Sequence, residues 1–364
     1  GGFDIATTGP RSTTVVFRQN IWNYAFLETR PSPRSLFAFA HDPARQTTWL
    51  LGGINEFNNS YSADVWGYRG GQFFSQSIKG APETCDTPLA AYDTSRNRLV
   101  YTCWTTNSFD VEVYEYDGTE FKAIATTRNK PDVRRFSALV YDDNIKKVVL
   151  FGGYDVATQN FKDDTWTWDG ANWTEVRNNK PPNRALHAMW YDPLQKRTIL
   201  YGGIGRESIE NHVDRFSDMW AFNGTGWTKL TIANTPGPRL GPQYAVDPAT
   251  GKVLLFGGLK AEYTDPDEEE TGTQFYDNET WQWDGGANSW TKLTPATSPR
   301  PRQNGRLGYD PITGRLTLFG GFAGFFYSDI WTWSGSNWEP VIDAGGGRRR
   351  AAGPTPAQPP TGGN

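Results

Sequence analysis

The sequence predicts an all-β chain of four-stranded antiparallel sheets arranged as the blades of a propeller. Three observations predict it. A Gly-Gly pair follows an apolar run at Gly52, Gly152, Gly202, Gly257 and Gly320, and opens the chain at Gly1, with Cys103-Trp104 in the same place of one degenerate copy. The spacing is about 50 residues, the scale at which one small sheet repeats. Aromatics are dense, with 16 Trp, 16 Tyr and 21 Phe in 364 residues. The 39 Gly and 24 Pro imply many turns and little helix.

One unit, residues 184–230, justifies the elements in order. RALHAMWYDP gives an alternating first strand and then a turn at Asp192-Pro193. Thr198–Tyr201 is a short apolar second strand stopped by Gly202-Gly203. After a variable loop, Met219–Phe222 forms the third strand, and Asn223-Gly224 is a hairpin turn signal. Trp227–Leu230 is the fourth. Such a sheet has two apolar faces and hides them only by stacking against its neighbours in a ring. A bulky aromatic recurs on the third strand (Trp66, Tyr114, Trp166, Trp220, Trp281, Trp331). Another opens the fourth (Trp22, Phe73, Phe121, Trp173, Trp227, Trp290, Trp338). Recurrence in every unit reads as packing between blades, against the alternative of a ligand-stacking stripe.

On these marks the chain resembles the kelch-repeat propellers: the double glycine of VVLFGG, the Tyr-Asp-Pro turn before it, and the paired aromatics. The resemblance covers residues 1–341. Six complete units start near 34, 85, 134, 184, 239 and 302. Residues 1–33 read as a half blade holding strands three and four, since residues 1–22 align without a gap on residues 152–173. The tail, 342–364, is rich in Pro and Gly and cannot supply the missing strands. The expectation is therefore a seven-bladed parent, its first two strands upstream in a longer chain. A six-bladed ring with a stray hairpin is the alternative.

Turns between strands one and two, and three and four, are short and regular. The links on the other face vary: 54–63, 154–163, 204–217, 259–278 and 322–328. A binding site is expected there. In five of the six units an arginine recurs seven residues before the turn aromatic or its equivalent: Arg34, Arg134, Arg184, Arg239 and Arg302. As a rim they would capture carboxylates or phosphates, and as architecture they would bond loop carbonyls. Loop aromatics Phe57, Tyr61, Phe161, Phe325, Phe326 and Tyr327 suit a sugar ring or a protein anchor, or fold back over the channel mouth. The acidic run Asp265, Asp267, Glu268, Glu269, Glu270 lacks the glycine of a calcium loop and reads as a solvated loop.

Cys85 stands where other units have the arginine, and Cys103 where they have the first glycine. Both are equidistant from the turn near residue 94, so a disulfide is expected, against two separate buried thiols. Its presence implies an oxidising compartment, and with the Pro-rich tail points to a secreted or cell-surface protein. Net charge is −4, which opposes nucleic-acid binding, and no apolar run spans a membrane. Galactose oxidase is similar in architecture and holds copper with two His and two Tyr. Here His41, His187 and His212 share no metal spacing, and no Walker loop, nucleophile elbow or HExxH occurs. No cofactor or catalytic residue is expected. The function expected is a non-catalytic module, a monomeric domain of a longer chain, that engages a protein or extracellular polymer through the loop face. A carbohydrate-binding or carbohydrate-active propeller is the alternative.

Overall fold

The computed structural model describes residues 13–18 and 21–26 as backbone, together with residues 30–55, 60–104, 112–126, 129–206, 214–262 and 273–341. All its regular elements are strands. The hairpin near the N-terminus pairs Thr13–Arg18 with Ile21–Phe26, with Thr13 opposite Phe26 and Arg18 opposite Ile21. Residues Arg30–Val341 form a compact unit of their own.

That unit holds six four-stranded sheets. In the first, Ala38–Asp42, Thr47–Leu51, Val65–Arg69 and Gln72–Ser75 pair in chain order. The other five keep this order. Their inner strands are Leu89–Asp93, Ala138–Asp142, Ala188–Asp192, Gln243–Val246 and Arg306–Asp310. Each inner strand neighbours the next, and the sixth neighbours the first. This is a β-propeller.

No gap separates the sixth sheet from the first. Arg34 N donates to Tyr327 O at 3.1 Å, Gly321 N to Arg34 O at 2.8 Å, and Leu36 N to Asn304 O at 3.0 Å. The Asp310 carboxylate accepts from Gly70 N at 2.8 Å and Gly71 N at 2.7 Å. Phe73 and Phe319 pack with ring centroids 4.9 Å apart. The sixth sheet thus bonds and packs directly onto the first, and the ring within residues 30–341 closes on six. The repeated four-stranded antiparallel sheet was readable. Whether the ring needs the half unit was not, because closure depends on contacts between residues over 200 positions apart.

The fourth-strand aromatics pack between blades. Trp227 lies 5.4 Å from Phe151 of the preceding sheet, Trp290 5.4 Å from Tyr201, and Trp338 5.3 Å from Phe256. Phe73, Phe121, Trp173, Trp227, Trp290 and Trp338 are all buried. Burying a side chain of Phe size stabilises by roughly 1.5–3 kcal/mol relative to leaving it in water. Two of the indole nitrogens bond a threonine across the same seams: Trp227 Nε1 donates to Thr165 Oγ1 at 2.9 Å, and Trp338 Nε1 to Thr280 Oγ1 at 2.9 Å.

The short-turn face is held by aspartates. Asp42, Asp93, Asp142, Asp192, Asp247 and Asp310 each accept hydrogen bonds from backbone amides two or three residues on. Such side-chain turns fix a tight reversal with few residues. The opposite face is built from longer pieces. Strands Lys147–Asp155 and Asn160–Trp168 extend past the third sheet as a hairpin, and Val253–Glu262 with Thr273–Asp284 extend past the fifth.

Candidate functional site

The five arginines lie inside the scaffold, not on a rim. Arg34, Arg134, Arg184, Arg239 and Arg302 are 0–1% exposed. Each donates through Nη1 to the carbonyl of the first glycine of its own double glycine: Gly52, Gly152, Gly202, Gly257 and Gly320. Each also binds a carboxylate: Asp64, Asp164, Asp218 and Asp329, or Asp277 with Glu279 in the fifth sheet. Four of the five pairs are bidentate, as Arg302 shows with Asp329 at 2.6 and 2.8 Å. The rim reading is thereby corrected, since these guanidinium groups have no open face toward a ligand.

The carboxylates are the part that sequence reasoning missed. Asp64, Asp164, Asp218 and Asp329 each stand two residues before a third-strand Trp, and Glu279 does so in the fifth sheet. The Trp indole donates to the same carboxylate, from Trp66, Trp166, Trp220, Trp331 and Trp281. The recurring acid-x-Trp was the available signal. Burial pushes the carboxyls of Asp64, Asp164, Asp218 and Asp329 up. The arginine hydrogen bonds and charge, with the indole, outweigh it and hold all four below the usual carboxylate value. The double glycine follows from the same layer. Gly52 and Gly53 have φ of 65° and 98°, and a Cβ on Gly53 would stand 2.8 Å from Ser35 O. Only glycine takes that path without strain.

The second sheet solves the same problem covalently. Cys85 and Cys103 form a disulfide with Cα atoms 5.4 Å apart and a sequence separation of 18. Each arginine reaches its glycine carbonyl across the same separation of 18. The bridge therefore replaces the arginine-to-glycine bond, position for position. Glu112 keeps the place of the carboxylate and accepts from Tyr114 Oη at 2.9 Å.

Of the loop aromatics, Phe57 lies outside the described residues, as do the acidic run 265–270 and His212. Tyr61 is half-buried. Burial raises its hydroxyl pKa to about 12, helped by a hydrogen bond with Asp86 and opposed by Arg135. Phe161 pairs with Tyr154 at 5.1 Å on the third-sheet hairpin. Tyr327 is 7% exposed and lies under Arg302, 3.9 Å from ring centroid to guanidinium carbon. It supports the scaffold, as Phe216 does under Arg184 at 3.9 Å. Phe325 and Phe326 remain, with Phe325 43% exposed. Phe326 lies 5.1 Å from Phe322, and Phe322 lies 6.2 Å from Tyr276 of the fifth sheet. The result is an aromatic patch across two neighbouring blades on the loop face.

The inner strands enclose a channel cavity of about 620 Å³. Its loop-side mouth is ringed by one residue before each inner strand, at positions 36, 87, 136, 186, 241 and 304. All six have a positive φ: Leu36, Thr87, Phe136, Leu186, Gly241 and Asn304 at 55°, 45°, 59°, 56°, 55° and 55°. Four backbone bonds link five of the six in series: Leu186 N to Phe136 O at 2.9 Å, Gly241 N to Leu186 O at 2.9 Å, Asn304 N to Gly241 O at 2.8 Å, and Leu36 N to Asn304 O. The strain of left-handed residues, about 1 kcal/mol or more for non-glycines, is offset by this collar of bonds. Both described histidines sit in aromatic packing. His41 lies 5.2 Å from Tyr309, and His187 lies 5.5 Å from Phe151. Burial lowers the His187 pKa to about 3, reinforced by Arg184.

No protein-family model matches the chain, and no curated protein matches it. Among solved structures it is similar to that of YjhT, at 14% identity and a TM-score of 0.61, over 86% of this chain and 99% of that one. At that identity the likeness speaks for the fold alone, and it agrees with the propeller described above.

Proposed function

We propose that this chain is a non-catalytic binding module whose loop face engages a protein or an extracellular polymer. The observation that carries the reading is the aromatic patch of Tyr276, Phe322, Phe325 and Phe326 on that face. Aromatic rings give large contact area at low entropic cost, and cluster where partners bind. Beneath it, the arginine-carboxylate layer fixes where the loops start, so the patch rests on a rigid base. The disulfide supports a place in an oxidising compartment, secreted or at the cell surface.

A second reading, a carbohydrate-binding propeller, is favoured by the exposed ring of Phe325, since pyranose faces stack on such rings. A glycan array separates the two. Specific glycan binding that falls at least about tenfold in Phe326→Ala, with an unchanged melting temperature, supports the sugar reading. A blank array with protein binding lost in the same variant supports the protein reading. Binding of either kind that is indifferent to the substitution removes the patch from the account.

A further inference from the structure

Arg306 differs from the five scaffold arginines in every respect that matters. It stands on the sixth inner strand, two residues inside the collar, and its side chain lines the channel cavity. At the same repeat position the other sheets carry Ala38, Leu89, Ala138, Ala188 and Gln243. The scaffold therefore needs no cation there. The five structural arginines each hold a carboxylate. Among the described residues, the one hydrogen bond of Arg306 runs from Nη1 to Gly305 O at 3.2 Å. Its other four N–H donors have no acceptor among the described residues.

The surroundings make this costly. The cavity it faces is lined by apolar Leu36, Phe39, Leu186, Met189 and Leu307, with Thr87, Ser137, Tyr244 and Asn304 among its polar groups. Burial pulls its pKa below the ordinary arginine value, with the Tyr244 hydroxyl partly opposing. An arginine nonetheless stays charged at neutral pH. Arg306 is half-buried and faces the channel; a cation held against apolar walls without a counter-charge is unfavourable, and an anion that enters lessens the penalty. The cavity volume is in the range of small-molecule pockets, about 300–1,000 Å³.

We propose that the channel is a binding site for a small organic carboxylate, its anionic group on the Arg306 guanidinium and its apolar body against Phe39, Met189 and Leu307. This site lies within the ring, apart from the loop-face patch. The planar fork of arginine matches a carboxylate bidentately, so geometry as well as charge selects the ligand. The apolar walls select against free phosphate or sulfate, which would lose hydration and gain no packing.

The test is calorimetric titration of the disulfide-bonded chain with benzoate and pentanoate, and with their uncharged amides, benzamide and pentanamide. The acids are expected to bind at least about tenfold more tightly than the amides, in line with a charge-assisted hydrogen bond. Arg306→Met is expected to abolish the difference, and Arg306→Lys to weaken the acids while keeping their preference over the amides. Neither acid binding the native chain, equal binding of acids and amides, or acid binding unchanged in Arg306→Met would each overturn the proposal. Should Arg306→Met fail to fold, the acid-amide contrast in the native chain and the Arg306→Lys titration decide it.

Discussion

At the scale of single residues, buried ionisable groups set the acid sensitivity of the molecule. His187 is buried, with neither ring nitrogen bonded among the described residues. Its pKa is lowered to about 3 by burial first and Arg184 second. A depressed histidine contributes stability that is present above its unfolded value, about 6.5, and is lost as pH falls toward the folded one. His41, lowered chiefly by burial, acts in the same direction. Asp64, Asp164, Asp218 and Asp329 are lowered too, so their contribution holds above about pH 4 and is lost below it. Asp86 and Asp142 are raised by burial and act oppositely, losing stability as pH rises past the usual carboxylate value. Stability against urea is expected to decline from about pH 6.5 downward and to steepen below about 4. In the first sheet, Phe37 holds the place of His187. His187→Phe is therefore expected to fold and to flatten the decline between about pH 6.5 and 4.5. A variant with the native slope in that window would contradict the assignment.

At the scale of elements, each sheet closes its loop-side end by tying the start of strand one to the end of strand two. Five sheets do so with an arginine and a carboxylate, and the second does so with the Cys85–Cys103 bridge. A loop of 18 residues predicts a stabilisation of about 3 kcal/mol from lost unfolded-state entropy. The double variant Cys85→Ala, Cys103→Ala is expected to lose about that much, read from the urea midpoint. An unchanged midpoint would mean that the bridge adds nothing to the tie. Much of this level was legible in the sequence. The strands, the turns and the paired departure of Cys85 and Cys103 followed from comparing repeats. The arginine periodicity was legible too, but its meaning was not, because solvent exposure is not encoded in spacing. The partner carboxylates lie 27 to 40 residues downstream, across loops of variable length, so their regularity is hidden until strands are paired.

At the scale of the whole ring, the sixth and first sheets within residues 30–341 touch directly. The inner strands then form the channel wall, a feature no single repeat displays. Arg306 was invisible for this reason: it breaks the pattern at a position whose neighbours come from other blades. The ring also separates two faces. Aspartate-capped turns make one compact, and the other carries the long hairpins and the Phe322–Phe326 patch. The central claim is that recognition of a protein or polymer belongs to the second face. The most direct measurement compares ligand affinity across the native chain and two double variants. One, Phe325→Ala with Phe326→Ala, strips the loop patch. The other, Leu194→Ala with Ile312→Ala, strips the exposed apolar side chains of the turn face, 47% and 62% exposed. The ligand is the tightest binder found on the glycan and protein arrays. The account expects at least about a tenfold loss in the loop variant and native affinity in the turn variant. The reverse pattern would contradict it.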